Sequence, residues 1–325
     1  MTAPTPDLKT LIRRLERRHQ KKQAATALIA GTAVLSLTVL VAPLFAQKDA
    51  PTVLTEAPAI VPTAASDAFK SVHVEGKAAI VYDLVTGETL YEKNSRSQLP
   101  LASLTKLLTV YAAAQVLNED STVTVSQSAL AQEGESGLSA GERFAFGDLA
   151  RLVLVASSND GAAAIAEAAA IARATTGKNL LAGAAAAAGL SQTYALNGTG
   201  LDESTSVAGG YGSARDIAIL AGALLTEAPE IARATIEPSI TVRSMDGAVH
   251  TLPSTNPGIV RVPNALLSKT GFTDLAGGNL AVVYDAGIGH PVAIVVLGSS
   301  YDGRYADVNA LMSRANEYFA GATIR

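Results

Sequence analysis

Residues 24–46, AATALIAGTAVLSLTVLVAPLFA, run for 23 positions without a charged side chain. An α-helix needs about 20 apolar residues to cross a bilayer core, and helices buried in soluble cores rarely go so long without a charge. The preceding segment is the opposite in character. Residues 1–23 hold seven basic side chains (Lys9, Arg13, Arg14, Arg17, Arg18, Lys21, Lys22) and two acidic ones (Asp7, Glu16), a local net of +5 in a chain of −4, so residues 24–325 carry −9. A basic flank stays in the cytoplasm, which puts everything after Ala46 outside it. The run exceeds the ~7–15 apolar residues of a cleaved signal, and a cut after Ala46 would leave Leu44 at a position that wants a small side chain. A retained single-pass anchor at the cell membrane is therefore expected, with secretion as the outcome if the segment is cleaved.

Residues 47–70 change composition again. Pro51, Pro58 and Pro62 stand among Ala, Thr and Val with no helical or strand period, as in an extended linker. Residues 71–325 remain for one large folded domain. Hydrophobic residues make up 48% of the chain and charged ones 17%, which excludes a disordered chain. With no cysteine there is no disulfide framework, thiolate metal site or cysteine nucleophile. The acidic balance gives no reason to expect nucleic acid as a partner. His19, His73, His250 and His290 are far apart in sequence and carry no metal-ligand spacing, so neither a metal nor another cofactor is expected.

The folded part reads as strands at both ends with helices between. Ala78–Tyr82 and Thr89–Glu92 flank a turn at Gly87, a hairpin pattern. Leu104, Leu107, Leu108 and Tyr111 recur at helical spacing and predict a helix over 101–117. Further helices are expected over 148–156, 162–175, 182–188, 214–225 and 307–319. Strands are expected over 266–272, 279–284 and 292–297, the last two joined by a turn at 286–290. The fold class is α/β: an antiparallel sheet covered by helices, beside a helical lobe formed mostly by residues 105–230.

Ser103-Leu104-Thr105-Lys106 is the one S-x-x-K in the chain. Residues three apart on a helix share a face, so the Lys106 amine can reach the Ser103 hydroxyl. A serine needs a base to act as a nucleophile at neutral pH, and a lysine made neutral by burial and nearby cations can be one. Alone the motif is weak; a capping serine and a solvated lysine would read the same way. Two more segments follow: Ser157-Ser158-Asn159 between two expected helices, and Lys269-Thr270-Gly271 on a strand-like run. A second S-x-N, Ser254-Thr255-Asn256, is set aside because it is a loop between Pro253 and Pro257. There is no G-x-S-x-G elbow, and Gly177-Lys178 is followed by Asn179, which breaks a phosphate-loop pattern.

S-x-x-K, S-x-N and K-T-G in this order are the set that marks penicillin-binding proteins and β-lactamases. From about Val74 to Asn316 the chain resembles the serine D-alanyl-D-alanine carboxypeptidases, the low-molecular-mass penicillin-binding proteins. AAIVYDLVTGETLYEKNSRSQLPLASLTKLLT is similar to their opening hairpin and nucleophile helix. LSAGERFAFGDLARLVLVASSNDGAAAIAE, NGTGLDES, YGSARDIAILA and SKTGFTDLAGGNLAVV are similar to their later segments. The usual Asn-Pro-x-Gly-Leu appears here as Asn197-Gly198-Thr199-Gly200-Leu201, and the sequence given leaves no room for the extra β-domain and carboxyl-terminal anchor of many members.

The resemblance implies the β-lactamase-like transpeptidase fold and a set of roles. Ser103 would be the acylated nucleophile and Lys106 its base. Ser157 would relay a proton to the leaving D-alanine, and Asn159 would order Lys106 and the substrate amide. Lys269 would set a positive field and Thr270 would bind the terminal carboxylate. The backbone N–H groups of Ser103 and Phe272 would form an oxyanion hole. Gly271 would let substrate approach the strand. Arg304 would help bind the carboxylate, a surface arginine being the plain alternative. The implied substrate is a peptidoglycan stem peptide ending in D-Ala-D-Ala, with β-lactams as inhibitors. The rival readings are a β-lactamase, a transpeptidase or endopeptidase of the same superfamily, or a non-catalytic cell-wall-binding module. No E-x-x-L-N segment follows the second motif to support a class A β-lactamase.

Overall fold

The computed structural model describes residues 68–323 apart from Glu135 and Ile288. The basic segment 1–23, the expected anchor or signal helix 24–46, and the linker up to residue 67 lie outside the described residues. Among the described residues no helix is long and apolar enough to cross a membrane. Phe69, at the end of the expected linker, is buried, its ring 5.6 Å from that of Tyr91.

In chain order the strands are β1 (Ala78–Asp83), β2 (Thr89–Lys93), β3 (Leu99–Pro100), β4 (Thr122–Thr124), β5 (Arg143–Ala145), β6 (Tyr194–Ala195), β7 (Gly210–Gly212), β8 (Ser239–Arg243), β9 (Val249–Pro253), β10 (Ala265–Thr273), β11 (Gly277–Asp285) and β12 (Pro291–Ser299). The helices are α1 (Thr105–Ala114), α2 (Phe146–Ala156), α3 (Asn159–Ala172), α4 (Gly177–Ala187), α5 (Ala214–Glu227), α6 (Pro229–Ala234) and α7 (Gly303–Thr323).

The main sheet is antiparallel, in the order β10-β11-β12-β1-β2. The two ends of the folded part meet in it, with Ala78 opposite Leu297 and Asp83 opposite Val292. Side chains alternate across a strand, and here both faces are covered. Ala79, Val81, Leu280, Val282, Ile294 and Val296 pack under α7 with Val308, Leu311 and Met312. Ala78, Ile80, Ala281, Val283, Ala293 and Val295 face the helical lobe, where α5 lies on the sheet and α1 packs among α3, α4 and α5. Burial on both faces is why these strands read as unbroken apolar runs rather than alternating ones. The end strand β10 is the edge from which the K-T-G segment faces the lobe.

Three differences from the expected elements bear on the site. The helix expected over 101–117 is shorter: Ala102–Leu104 form a 3-10 turn and α1 begins only at Thr105. Ala102 sits at φ 49, a left-handed conformation that a continuous helix cannot contain. The helix expected from 162 begins three residues earlier, because Ser158 caps it, its Oγ accepting from Gly161 N at 2.9 Å. The β8–β9 hairpin was not expected at all. Its Ser239–Arg243 strand does alternate, with Ile240 and Val242 turned to the core beside Leu252, but the apolar positions are few and only Val242 is fully covered.

Candidate active site

Ser103 lies on the 3-10 turn and Lys106 on the first turn of α1, so the turn carries the hydroxyl over the amine. Lys106 is fully buried. Its Nζ is 2.9 Å from Ser103 Oγ, 2.6 Å from Asn159 Oδ1 and 2.7 Å from the Thr199 carbonyl oxygen. The second and third partners can only accept. A neutral amine has two hydrogens and one lone pair, so with both hydrogens on those oxygens the lone pair is left for the Ser103 hydroxyl hydrogen. Burial, then the positive charge of Lys269, holds the Lys106 pKa well below its ordinary value.

Asn159 is the first residue of α3, fixed there by the Ser158 cap. Its Nδ2 donates to the Glu133 carbonyl at 2.6 Å, which leaves Oδ1 facing Lys106. Ser157 joins α2 to α3 at φ 61 and ψ 33. A side-chain-bearing residue held there costs about 1–3 kcal/mol and persists only where its surroundings enforce it. Here a bond spans the cleft: Lys269 Nζ reaches Ser157 Oγ at 2.9 Å and the Thr270 carbonyl at 2.9 Å. Lys269 is fully buried too. Burial, then the charge of Arg304, pushes its pKa down to about 7.

The strand is pressed against the nucleophile turn. A Cβ on Gly271 would lie 2.9 Å from the Leu101 carbonyl oxygen and 3.2 Å from Ser103 N. What crowds Gly271 is thus the backbone of the turn that carries Ser103, a reason for a glycine here that is separate from the expected approach of substrate. The sequence profile of the D-alanyl-D-alanine carboxypeptidases matches residues 63–301. The chain belongs to that family.

Among its relatives, D-alanyl-D-alanine carboxypeptidase DacC of Escherichia coli (strain K12) is 32% identical over 179 residues, 51% of this chain and 44% of DacC. D-alanyl-D-alanine carboxypeptidase DacF of Bacillus subtilis (strain 168) is 30% identical over 247 residues, 74% of this chain and 62% of DacF. The matches thus span 44% and 62% of the length of these curated relatives. The crystal structure of D-alanyl-D-alanine carboxypeptidase DacD from Francisella tularensis superposes with a TM-score of 0.67 at 23% identity, over 75% of this chain and 70% of that one. Penicillin-binding protein D2 from Listeria monocytogenes, in its ampicillin-bound form, gives a TM-score of 0.61 at 27% identity, over 75% of this chain and 98% of that one.

Of the remaining family positions, Thr270 is buried and its hydroxyl donates to Thr255 Oγ1 at 2.7 Å. As placed, that hydrogen is not free for a carboxylate. The set-aside loop Ser254–Asn256 therefore does belong to the site, though not as the S-x-N motif. Asn256 Nδ2 also donates to Ser268 Oγ at 2.8 Å. Phe272 follows on the strand with its ring exposed, edge-on to Tyr301 at 5.2 Å. Arg304 is not a surface arginine. It is 3% exposed, lies 4.4 Å from the Tyr301 ring centroid and 4.8 Å from that of Tyr305, and donates from Nη1 to the Gly271 carbonyl at 2.8 Å. Its Nε is buried with no hydrogen-bond partner.

The sequence reading missed the Thr199 and Glu133 carbonyls and Thr255. Two of the three are backbone groups, which any residue type can supply.

Proposed function

We propose that this chain is a serine D-alanyl-D-alanine carboxypeptidase that removes the terminal D-Ala from peptidoglycan stem peptides through an acyl-enzyme on Ser103. The observation that carries the reading is the arrangement at Lys106: a buried amine whose two other partners accept, with its lone pair left for Ser103. Lys106 takes the Ser103 proton as Oγ attacks the carbonyl carbon of the penultimate D-Ala. The N–H groups of Ser103 and Phe272 hold the developing oxyanion, the electrostatic contribution that is usually largest in such reactions. The C–N bond then breaks, and a proton passes through Ser157, held by Lys269, to the departing D-Ala amine. Water cleaves the ester and restores Ser103. Asn159 holds the acyl-side amide, Lys269 and Arg304 supply positive charge to the free carboxylate, and Thr270 reaches it by turning its hydroxyl away from Thr255. A penicillin is attacked by the same oxygen and stays bound as the ester. The basic 1–23 segment and uncharged 24–46 run support a membrane-anchored enzyme with its catalytic domain outside the cytoplasm.

One experiment tests both parts. Alkaline-washed membranes from cells making the full chain are labelled with fluorescent penicillin, and the adduct is mapped by mass spectrometry. Full-length protein in the membrane, an adduct on Ser103, and loss of label and of D-Ala release in Ser103→Ala are expected. An adduct elsewhere rejects the nucleophile. A soluble form starting near Gln47 rejects the anchor and leaves export standing.

A further inference from the structure

The third partner of the catalytic amine is a main-chain carbonyl, and one side chain determines where it points. The Thr199 carbonyl oxygen lies in the Asn197–Leu201 loop, 2.7 Å from Lys106 Nζ. Asn197 Oδ1 accepts from Thr199 N at 3.1 Å, Thr199 Oγ1 at 2.9 Å and Gly200 N at 2.7 Å. Its Nδ2 donates to the Leu201 carbonyl at 3.1 Å and to Glu203 Oε1 at 2.6 Å. Every hydrogen-bonding capacity of the carboxamide is thus used within its own loop. The result is a side-chain-closed turn whose successive carbonyls dock on α1. Gly198 O accepts from Thr109 Oγ1 at 2.7 Å, and Thr199 O accepts from Lys106, one turn earlier.

The turn has little freedom toward α1. Gly200 is at φ 78, and a Cβ there would lie 2.0 Å from the Ala102 carbonyl oxygen, the residue before the nucleophile. On its other side Asn197, Gly198 and Thr199 border a cavity of about 400 Å³, floored by Ala163 and Ala166 of α3. Beside it the loop backbone packs on α3, where a Cβ on Gly198 would lie 2.8 Å from Ala166 Cβ, and within that frame the Thr199 and Gly200 N–H groups are held by Asn197.

We infer that Asn197 is a positioning residue of the reaction: by closing this turn it aims the Thr199 carbonyl at Lys106 and so turns the amine's lone pair toward Ser103. It touches neither substrate nor the reacting atoms. The inference rests on the serine-peptidase reading above and adds the side chain of Asn197 to its site.

The test is the rate constant of Ser103 acylation by a penicillin, measured per active site as a function of pH. Asn197→Ala removes the three acceptor bonds, and an acylation rate constant about 10- to 100-fold lower is expected, with the initial binding constant unchanged. Asn197→Asp keeps the acceptor oxygen but sets a carboxylate against Glu203 and adds negative charge near Lys106. Its plateau rate falls, and the acid limb, where Lys106 loses its proton, moves to higher pH. Asn197→Asp combined with Glu203→Gln restores a donor opposite the acceptor. It regains most of the plateau rate while keeping the shifted limb.

A purely structural Asn197 would lower the fraction of active enzyme, not the rate constant of that fraction. Folded Asn197→Ala acylating at the wild-type rate overturns the inference. If that variant does not fold, a pair of Asn197→Asp variants, with and without Glu203→Gln, having wild-type limbs overturns it equally. Wild-type enzyme that is never acylated at Ser103 overturns the serine-peptidase reading, and this inference with it.

Discussion

Two buried lysines face two serines across the cleft, one at the start of α1 and one on the edge strand β10. Both stand 2.9 Å from their hydroxyl, and neither is solvated. The surroundings differ. Lys106 sees two carbonyl-type acceptors besides Ser103 and has Lys269 as its nearest positive neighbour. Lys269 sees Ser157 and one carbonyl, with the Arg304 guanidinium behind it. Both amines are depressed by burial: Lys106 well below its ordinary value, and Lys269 to about 7, where it is about half charged at neutral pH. In the proposed reaction the two similar pairs separate by their partners, Lys106 as the base and Lys269 as the source of positive field. Groups in one site whose environments push their pKa values apart are the ones to assign opposite roles.

The comparison breaks most directly at Lys106. Lys106→Arg keeps a positive charge but cannot be deprotonated, so acylation of Ser103 is expected to fall by about 10²–10⁴-fold, the usual worth of a general base. Near-native labelling of this variant would move the base elsewhere.

Gly271→Ala tests the seam between the two regions. The added methyl meets the Leu101 carbonyl at 2.9 Å and pushes β10 off the nucleophile turn. A displacement of that kind costs up to about 10²-fold in rate. The acylation rate should fall that far, and the thermal midpoint should drop as well, since overpacking costs about 1–3 kcal/mol. An unchanged rate would mean the strand and turn need not touch.

How much of this was legible beforehand follows from the same two regions. Ser103 and Lys106 are three residues apart, so local periodicity brings them together and the sequence displays them. Lys269 and Ser157 lie 112 positions apart, and only the family pattern joins them. The strands β11 and β12 were legible to within two residues because burial on both faces writes continuous apolar runs. The 3-10 turn under Ser103 was not, since Leu104, Leu107 and Leu108 keep their helical spacing through it. The Thr199 and Glu133 carbonyls carry no side-chain signature. The Thr255 loop was visible as Ser254-Thr255-Asn256, but nothing local shows that its hydroxyl meets Thr270.

Arg304→Ala is the mildest of the substitutions. It removes a donor from the Gly271 carbonyl and a positive charge from the carboxylate side of the cleft. The loss of a charge-assisted contact predicts about a 10-fold lower kcat/KM on a D-Ala-D-Ala peptide, with little change on its carboxyamide analogue. It also takes a like charge away from Lys269, so that pKa should rise. Equal losses on acid and amide would limit Arg304 to its hold on the strand.

The division of labour between the lysines can be read directly by a ¹⁵N NMR titration of lysine side-chain nitrogens, with Lys106→Arg and Lys269→Ala supplying the assignments. The expected result is a Lys106 ammonium that loses its proton well below the ordinary lysine range, and a Lys269 ammonium that loses its proton near pH 7. A Lys106 that titrates in the ordinary lysine range would contradict the account.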